Sequence, residues 1–285
     1  MQDVKALMNT SAESTNITIL RPPSRWEFID FKELKDYRDL LWSMVWRSIK
    51  VLYAQTIMGL GWAILNPFIQ IILFSVIFGK IAKLPTDGVP YVLFSTVAVI
   101  PWTYMSQAMT QSSQSLITGH TMLGKIYFPR LIFPLTPVLA KLVDFAVSLI
   151  LLVAIMIYFQ VAPNWNLIFL PFFVLLMVTI PAGVGMFLSA FAVRFRDVKH
   201  AMPFAISLLV YTAPIMYSAS SIPADFRIWY SLNPVVAVIE GYRACLLGTP
   251  LEWAYIVPGT VTAIVLLLVG ALYFRRMERV FVDVL

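Results

Sequence analysis

Six stretches of the chain are apolar over lengths that suit a bilayer: 58–79, 91–109, 138–159, 167–193, 201–217 and 253–274. A hydrocarbon core about 30 Å thick takes roughly 20 apolar residues in a helix, so each stretch predicts one span. The fourth carries Pro171 and Pro181, which predict a kink or a tilt. The fifth is short, holds Pro203 and Pro214, and runs into a polar bend at 218–221. Ahead of the first span, residues 28–55 have a different period. Leu34, Tyr37, Leu41, Met44 and Val45 recur at helical spacing, while Lys32, Glu33, Lys35, Asp36 and Asp39 fill the other side. Asp30 and Glu33 have the spacing of a capping box. This pattern predicts an amphipathic helix in the plane of the interface, packed on the cytoplasmic ends of the bundle, or both at once.

Between the fifth and sixth spans, residues 219–249 are neither a span nor a loose loop. Pro223 opens a short apolar segment. Asn233-Pro234 reads as a cap followed by proline at the first helical position, and Gly248 ends the helix with Pro250 beyond. Two short outer helices dipping back into the membrane fit this pattern. Irregular backbone at that depth has to be buried in protein or line water, which marks the segment as a functional candidate. The fold class is therefore an all-α integral membrane protein. It has six transmembrane helices, an N-terminal amphipathic interface helix, and outer re-entrant helices between spans 5 and 6. The divisions are a polar cytoplasmic N-terminus (1–27), the amphipathic helix (28–55), the transmembrane domain (56–275) and a cytoplasmic tail (276–285).

Composition agrees and excludes other classes. Hydrophobic residues make up 60% of the 285 and charged residues 13%, against roughly 45–50% and about 25% in soluble domains. A soluble enzyme, a disordered chain and a nucleic-acid binder all need more polar sequence. One cysteine and two histidines leave no disulfide, no zinc or iron–sulfur cluster and no histidine-rich metal site. The net charge of +6 is explained by orientation: of 21 Lys and Arg, 17 fall on one side of a six-span topology and 4 on the other. By the positive-inside rule both termini are cytoplasmic.

Candidate chemistry is sparse. Residues 119–126 (GHTMLGKI) come close to a phosphate-cradling loop, but Ile126 stands where a magnesium-binding hydroxyl is needed and no strand precedes it. ATP chemistry therefore has to come from another subunit. No pair of intramembrane carboxylates, Ser–His set or H-E-x-x-H motif supports catalysis. Lys141 and Asp144 sit three apart, and Glu240 and Arg243 repeat the spacing. At membrane depth such charges are functional candidates, but a self-neutralised pair facing the bundle is the preferred reading of Lys141–Asp144. Aromatic residues fall on helical stripes: Tyr91, Phe94 and Trp102; Phe74 and Phe78; Phe204 and Tyr211. Many aromatics serve as interfacial belts. The alternative is a path along which sugar C–H faces stack without tight gripping. Arg38, Arg47 and Lys50 on the amphipathic helix are candidates to receive a pyrophosphate headgroup at substrate entry, or else to contact anionic lipid.

Several segments together resemble the transmembrane subunit of type-two ABC exporters of cell-envelope polysaccharides, the O-antigen, capsule and teichoic-acid export permeases. They are 26–50 (WEFIDFKELKDYRDLLWSMVWRSIK), 59–67 (GLGWAILNP), 123–130 (LGKIYFPR), 194–203 (RFRDVKHAMP) and 232–248 (LNPVVAVIEGYRACLLG), in family order from about Arg21 onward. The resemblance implies a permease in the bacterial inner membrane that exports a lipid-linked polysaccharide. It implies a homodimer joined to two copies of a nucleotide-binding ATPase, with ATP and Mg bound by that partner and no cofactor in this chain. Residues 31–47 would be the gate helix. The 119–130 connection would be the coupling helix, with Leu123, Lys125, Tyr127, Phe128, Pro129 and Arg130 meeting the ATPase and Tyr127 and Phe128 as aromatic anchors. The alternative from the same architecture is an exporter of a small lipid or drug.

Overall fold

A computed structural model describes residues 35–54, 56–119, 128–162, 164–195 and 197–278. Within them the chain is helical. The order is α1 (Arg38–Tyr53), α2 (Gly61–Phe74, continued by a π-helical stretch Ser75–Ile81), α3 (Tyr91–Thr118), α4 (Ile132–Tyr158), α5 (Leu170–Arg194), α6 (Val198–Thr212), α7 (Arg227–Ser231), α8 (Pro234–Leu247) and α9 (Trp253–Met277). Four helical stretches are long and apolar enough to cross a membrane: Gly61–Ile81, Ile132–Tyr158, Trp165–Arg194 and Trp253–Met277. α3 has the length but is too polar in its second half, and α6 has only 15 residues. α5 continues as helix through Pro181.

α5 is the central post, packed against α3, α4, α8 and α9. Its small residues set the spacing. A Cβ on Gly183 would lie 2.7 Å from the Leu267 backbone, and one on Gly270 would lie 2.2 Å from the Gly183 carbonyl oxygen. α5 and α9 therefore cross backbone on backbone, as small residues allow where no water drives association. On α5's other side, a Cβ on Gly185 would strike Ser112 Oγ of α3 at 2.0 Å. Ser112 itself donates to the Pro134 carbonyl of α4 at 2.7 Å, so one small polar side chain ties three helices.

Large apolar side chains face outward on α2, α4 and α9, among them Ile72, Leu73, Ile150, Val153, Ile264 and Leu268. Exposed apolar surface on this scale needs lipid or partner protein to cover it. Charge collects at the ends. The end formed by the C-termini of α3, α5 and α9 and the start of α4 carries Arg130, Arg194, Lys199, Arg275 and Arg276, and is called the basic end below.

A cluster at the basic end holds Leu116, Ile132, Phe133, Val193 and Phe274, and the apolar face of α1 (Tyr37, Leu40, Leu41, Met44) packs on it. The far end of α1 is pinned too, because the Tyr53 hydroxyl donates to the Asp144 carboxylate of α4. Asp144 lies twelve residues beyond Ile132, about 18 Å along a helix. α1 therefore rises beside α4 and packs on the bundle through its apolar face. Residues 28–34 of the expected helix lie outside the described residues.

α8 is enclosed on all sides: Val236, Ala237, Val238, Ile239 and Cys245 are each 0% exposed. Its ends follow the sequence pattern. Asn233 Oδ1 accepts from the Val235 N–H at 3.0 Å, Pro234 opens the helix, and Gly248 takes the left-handed conformation at φ 74°. Asn164 and Asn166 donate to the carbonyls of Cys245 and Ala244, satisfying acceptors a helix terminus otherwise leaves open.

Candidate functional site

One face of α3 differs from the rest of the bundle. Thr103, Ser106, Gln107, Thr110 and Gln111 follow one another at intervals of three and one, a single stripe at helical spacing. They line a groove of about 540 Å³ closed on its flanks by α2 and α6. α2 contributes Asn66, Gln70 and Phe74, and α6 contributes Ser207 and Tyr211. The Ser106 and Thr110 hydroxyls donate to backbone carbonyls one turn back, at 3.2 and 2.8 Å. Thr103 Oγ1 is buried with no partner. The wall is thus polar but uncharged, with amide and hydroxyl groups beside aromatic rings. It can exchange hydrogen bonds with a polyhydroxylated chain and stack on its C–H faces, and holds no charge to trap it.

Three of the expected path residues, Phe74, Trp102 and Tyr211, border this groove. The others are distributed elsewhere. Phe78 packs edge-on against Phe74 at 5.7 Å. Tyr91 donates its hydroxyl to the Met216 carbonyl at 2.7 Å. Phe94 is 2% exposed and lies under the Arg243 guanidinium, 3.6 Å from its ring centroid. Phe204 is exposed on α6. The polar stripe was missed in the sequence, although the helical spacing of its five residues was there to be counted.

Behind the groove, and sharing Asn66, Thr103 and Gln107 with it, is a smaller cavity of about 170 Å³. Here Lys141 donates to Asp144 at 2.7 Å. The Tyr53 hydroxyl is Asp144's second donor, so the pair is neutralised within the bundle and fastens α1.

The expected entry residues lie on α1. Arg38 pairs with Asp39 at 3.5 Å on the surface. Arg47 and Lys50 are exposed near the end of the helix that carries Tyr53, and Lys50 lies 5.5 Å from the Trp46 ring. Of the expected coupling residues, Leu123, Lys125 and Tyr127 lie outside the described residues. Phe128 is buried in the basic-end cluster, 5.4 Å from the Phe133 ring. Pro129 precedes α4, and Arg130 donates to the Glu278 carbonyl.

Four helical stretches of membrane-spanning length with apolar outward faces, beside a groove that carries a polar stripe, define a multi-pass membrane protein. Residues 39–247 match the family described as ABC-2 type transporter, and the chain belongs to that family. Among its relatives, the O-antigen export system permease protein RfbA of Myxococcus xanthus is 27% identical over 215 residues, covering 75% of this chain and 82% of that protein. The protein of the same name from Klebsiella pneumoniae is 25% identical over 248 residues, 87% of this chain and 95% of the relative. The polysialic acid transport protein KpsM of Escherichia coli is 22% identical over 209 residues, 70% and 78% respectively.

Proposed function

We propose that the chain is the permease subunit of an ATP-driven exporter of lipid-linked polysaccharide in the bacterial inner membrane. The groove of α2, α3 and α6 carries this reading: it is lined by uncharged amides, hydroxyls and aromatic rings beside helices whose outward faces are apolar. A charged wall would suit an ion, and a fully apolar one a lipid tail. Relatives named for O-antigen export and polysialic acid transport support the same substrate class.

In this reading six helices cross the membrane, α2 to α6 and α9. α3 crosses despite its polar stripe because that stripe faces the groove, and α7 and α8 form the outer re-entrant segment. The basic end lies in the cytoplasm, by the charge bias of the sequence. Two copies face each other across their grooves, which open on one side of each chain, and two ATPase subunits bind ATP and Mg. Arg38, Arg47 and Lys50 receive the lipid-linked pyrophosphate beside α1. The 119–130 connection meets the ATPase through Tyr127, while Phe128 roots it in the basic-end cluster and so transmits its displacement to α4.

The test is co-reconstitution with the cognate ATPase in proteoliposomes. ATP-dependent translocation of a fluorescently labelled lipid-linked glycan is expected, with none when the permease or the ATPase is omitted. Movement of a short-chain fluorescent lipid without movement of the glycan-bearing one would overturn the reading.

A further inference from the structure

The described residues that line the groove include amides, hydroxyls, rings and aliphatic side chains, and no Asp, Glu, Lys, Arg or His. Four of them carry side-chain amides. Asn66 and Gln70 of α2, and Gln107 and Gln111 of α3, form two pairs spaced four residues apart, about 6 Å along a helix. The groove's hydroxyls are largely committed. Ser106, Thr110 and Ser207 give their protons to carbonyls of their own helices, at 3.2, 2.8 and 2.7 Å. The four amides are not: among the described residues none of them has a hydrogen-bond partner. Each offers two N–H donors and a carbonyl acceptor to whatever passes.

That offer suits one kind of glycan better than another. A sugar hydroxyl both donates and accepts, so it can use both sides of an amide. A carboxylate only accepts, and brings a charge for which the wall has no cation. The ion pair behind the wall does not supply one, because Lys141 is closed on Asp144 at 2.7 Å. A second copy facing this one would repeat the same uncharged lining. Charge at membrane depth is costly unless it is paired or kept in water. The pyrophosphate of a lipid carrier is common to every substrate and passes once per chain, whereas charge on the glycan is met again at every repeating unit.

We propose that the groove selects glycans whose repeating units are uncharged, with Asn66, Gln70, Gln107 and Gln111 as the residues that set this choice. The inference rests on the reading of the chain as a glycan exporter and divides the polysaccharide class within it. Uncommitted amides can turn to meet hydroxyls of either configuration, so the groove is tolerant of which neutral sugar passes and intolerant of acidic ones.

The experiment compares three forms of one labelled lipid-linked glycan in proteoliposomes that hold the permease–ATPase complex. They are the neutral polymer, the same polymer with its primary hydroxyls oxidised to carboxylates, and the methyl ester of the oxidised form, which keeps the bulk and removes the charge. The neutral and ester forms should cross at rates within about threefold of each other, and the acid form at least about tenfold more slowly. Gln111→Lys and Asn66→Lys each place a cation at an exposed position of the groove wall. Each should raise transport of the acid form relative to the neutral one by about fivefold or more, and the pair of variants keeps the test open if one fails to fold. Equal rates for the neutral and acid forms, an ester as slow as the acid, or an unchanged ratio in both lysine variants would each overturn the selection and leave the proposed function standing. Movement of none of the three glycans, while a short-chain lipid still crosses, overturns the proposed function and the selection with it.

Discussion

α3 presents two stripes of comparable length to opposite surroundings. The first begins with the aromatic residues Tyr91 and Phe94, passes Trp102 at the border of the groove and continues into buried serines; Trp102 is 4% exposed and Ser112 is 0%. The second, Thr103 to Gln111, opens on the groove. The stripe with aromatic character mostly holds the helix in the bundle, and the one with amides and hydroxyls faces what passes. Ring chemistry by itself therefore does not mark a sugar path. What distinguishes the groove is polar side chains left at the surface of a helix that is otherwise sealed.

The largest expected effect breaks the packed stripe. Trp102→Ala removes a buried ring and should destabilise the fold by about 3–5 kcal/mol, read as a fall in the midpoint of unfolding in detergent. Next comes the ion pair in the small cavity behind the groove. Lys141→Met strands the Asp144 carboxylate and should cost about 3–5 kcal/mol, whereas Lys141→Met with Asp144→Leu should recover only part of that loss, because the Tyr53 hydroxyl then loses its acceptor. A double mutant as unstable as the single would show that the pair does more than neutralise itself. Tyr53→Phe should be milder, about 1.5–3 kcal/mol for one hydrogen bond to a charged group. It should also speed hydrogen exchange at the end of α1 but not at its start, which the basic-end cluster still holds.

Much of this arrangement is written in the chain. The cap at Asn233, the proline after it and the αL residue Gly248 delimit α8 with single-residue precision because each is a local stereochemical requirement. The amphipathic period of α1 indicated which face packs, and left open what it packs on. Hydropathy was least informative where function enters. It ended the second span at 109, whereas α3 continues to Thr118. Thr110 and Gln111, the first polar residues beyond that point, belong to the groove stripe. The aromatic pattern placed Phe74, Trp102 and Tyr211 at the groove but sent Phe94 there too, since sequence gives no hint that Arg243, far along the chain, covers its ring. Likewise the i,i+3 spacing announced both ion pairs equally. Only the fold shows that Tyr53 completes one and that the other keeps a free edge.

The smallest effect on stability is expected on the second stripe. Gln107→Leu with Gln111→Leu should shift stability by no more than about 0.5 kcal/mol, because neither position is packed in the core. Glycan transport should nonetheless fall about tenfold or more, and basal ATP hydrolysis should hold.

Placing a photo-crosslinking residue at Gln107, and separately at Ile150 on the outward face of α4, gives a direct reading of which surface the substrate touches. In a complex stalled during export of a labelled lipid-linked glycan, position 107 should capture the glycan and position 150 only lipid. Capture of lipid alone at 107, or equal capture of glycan at both positions, would contradict the groove as the route of the polysaccharide.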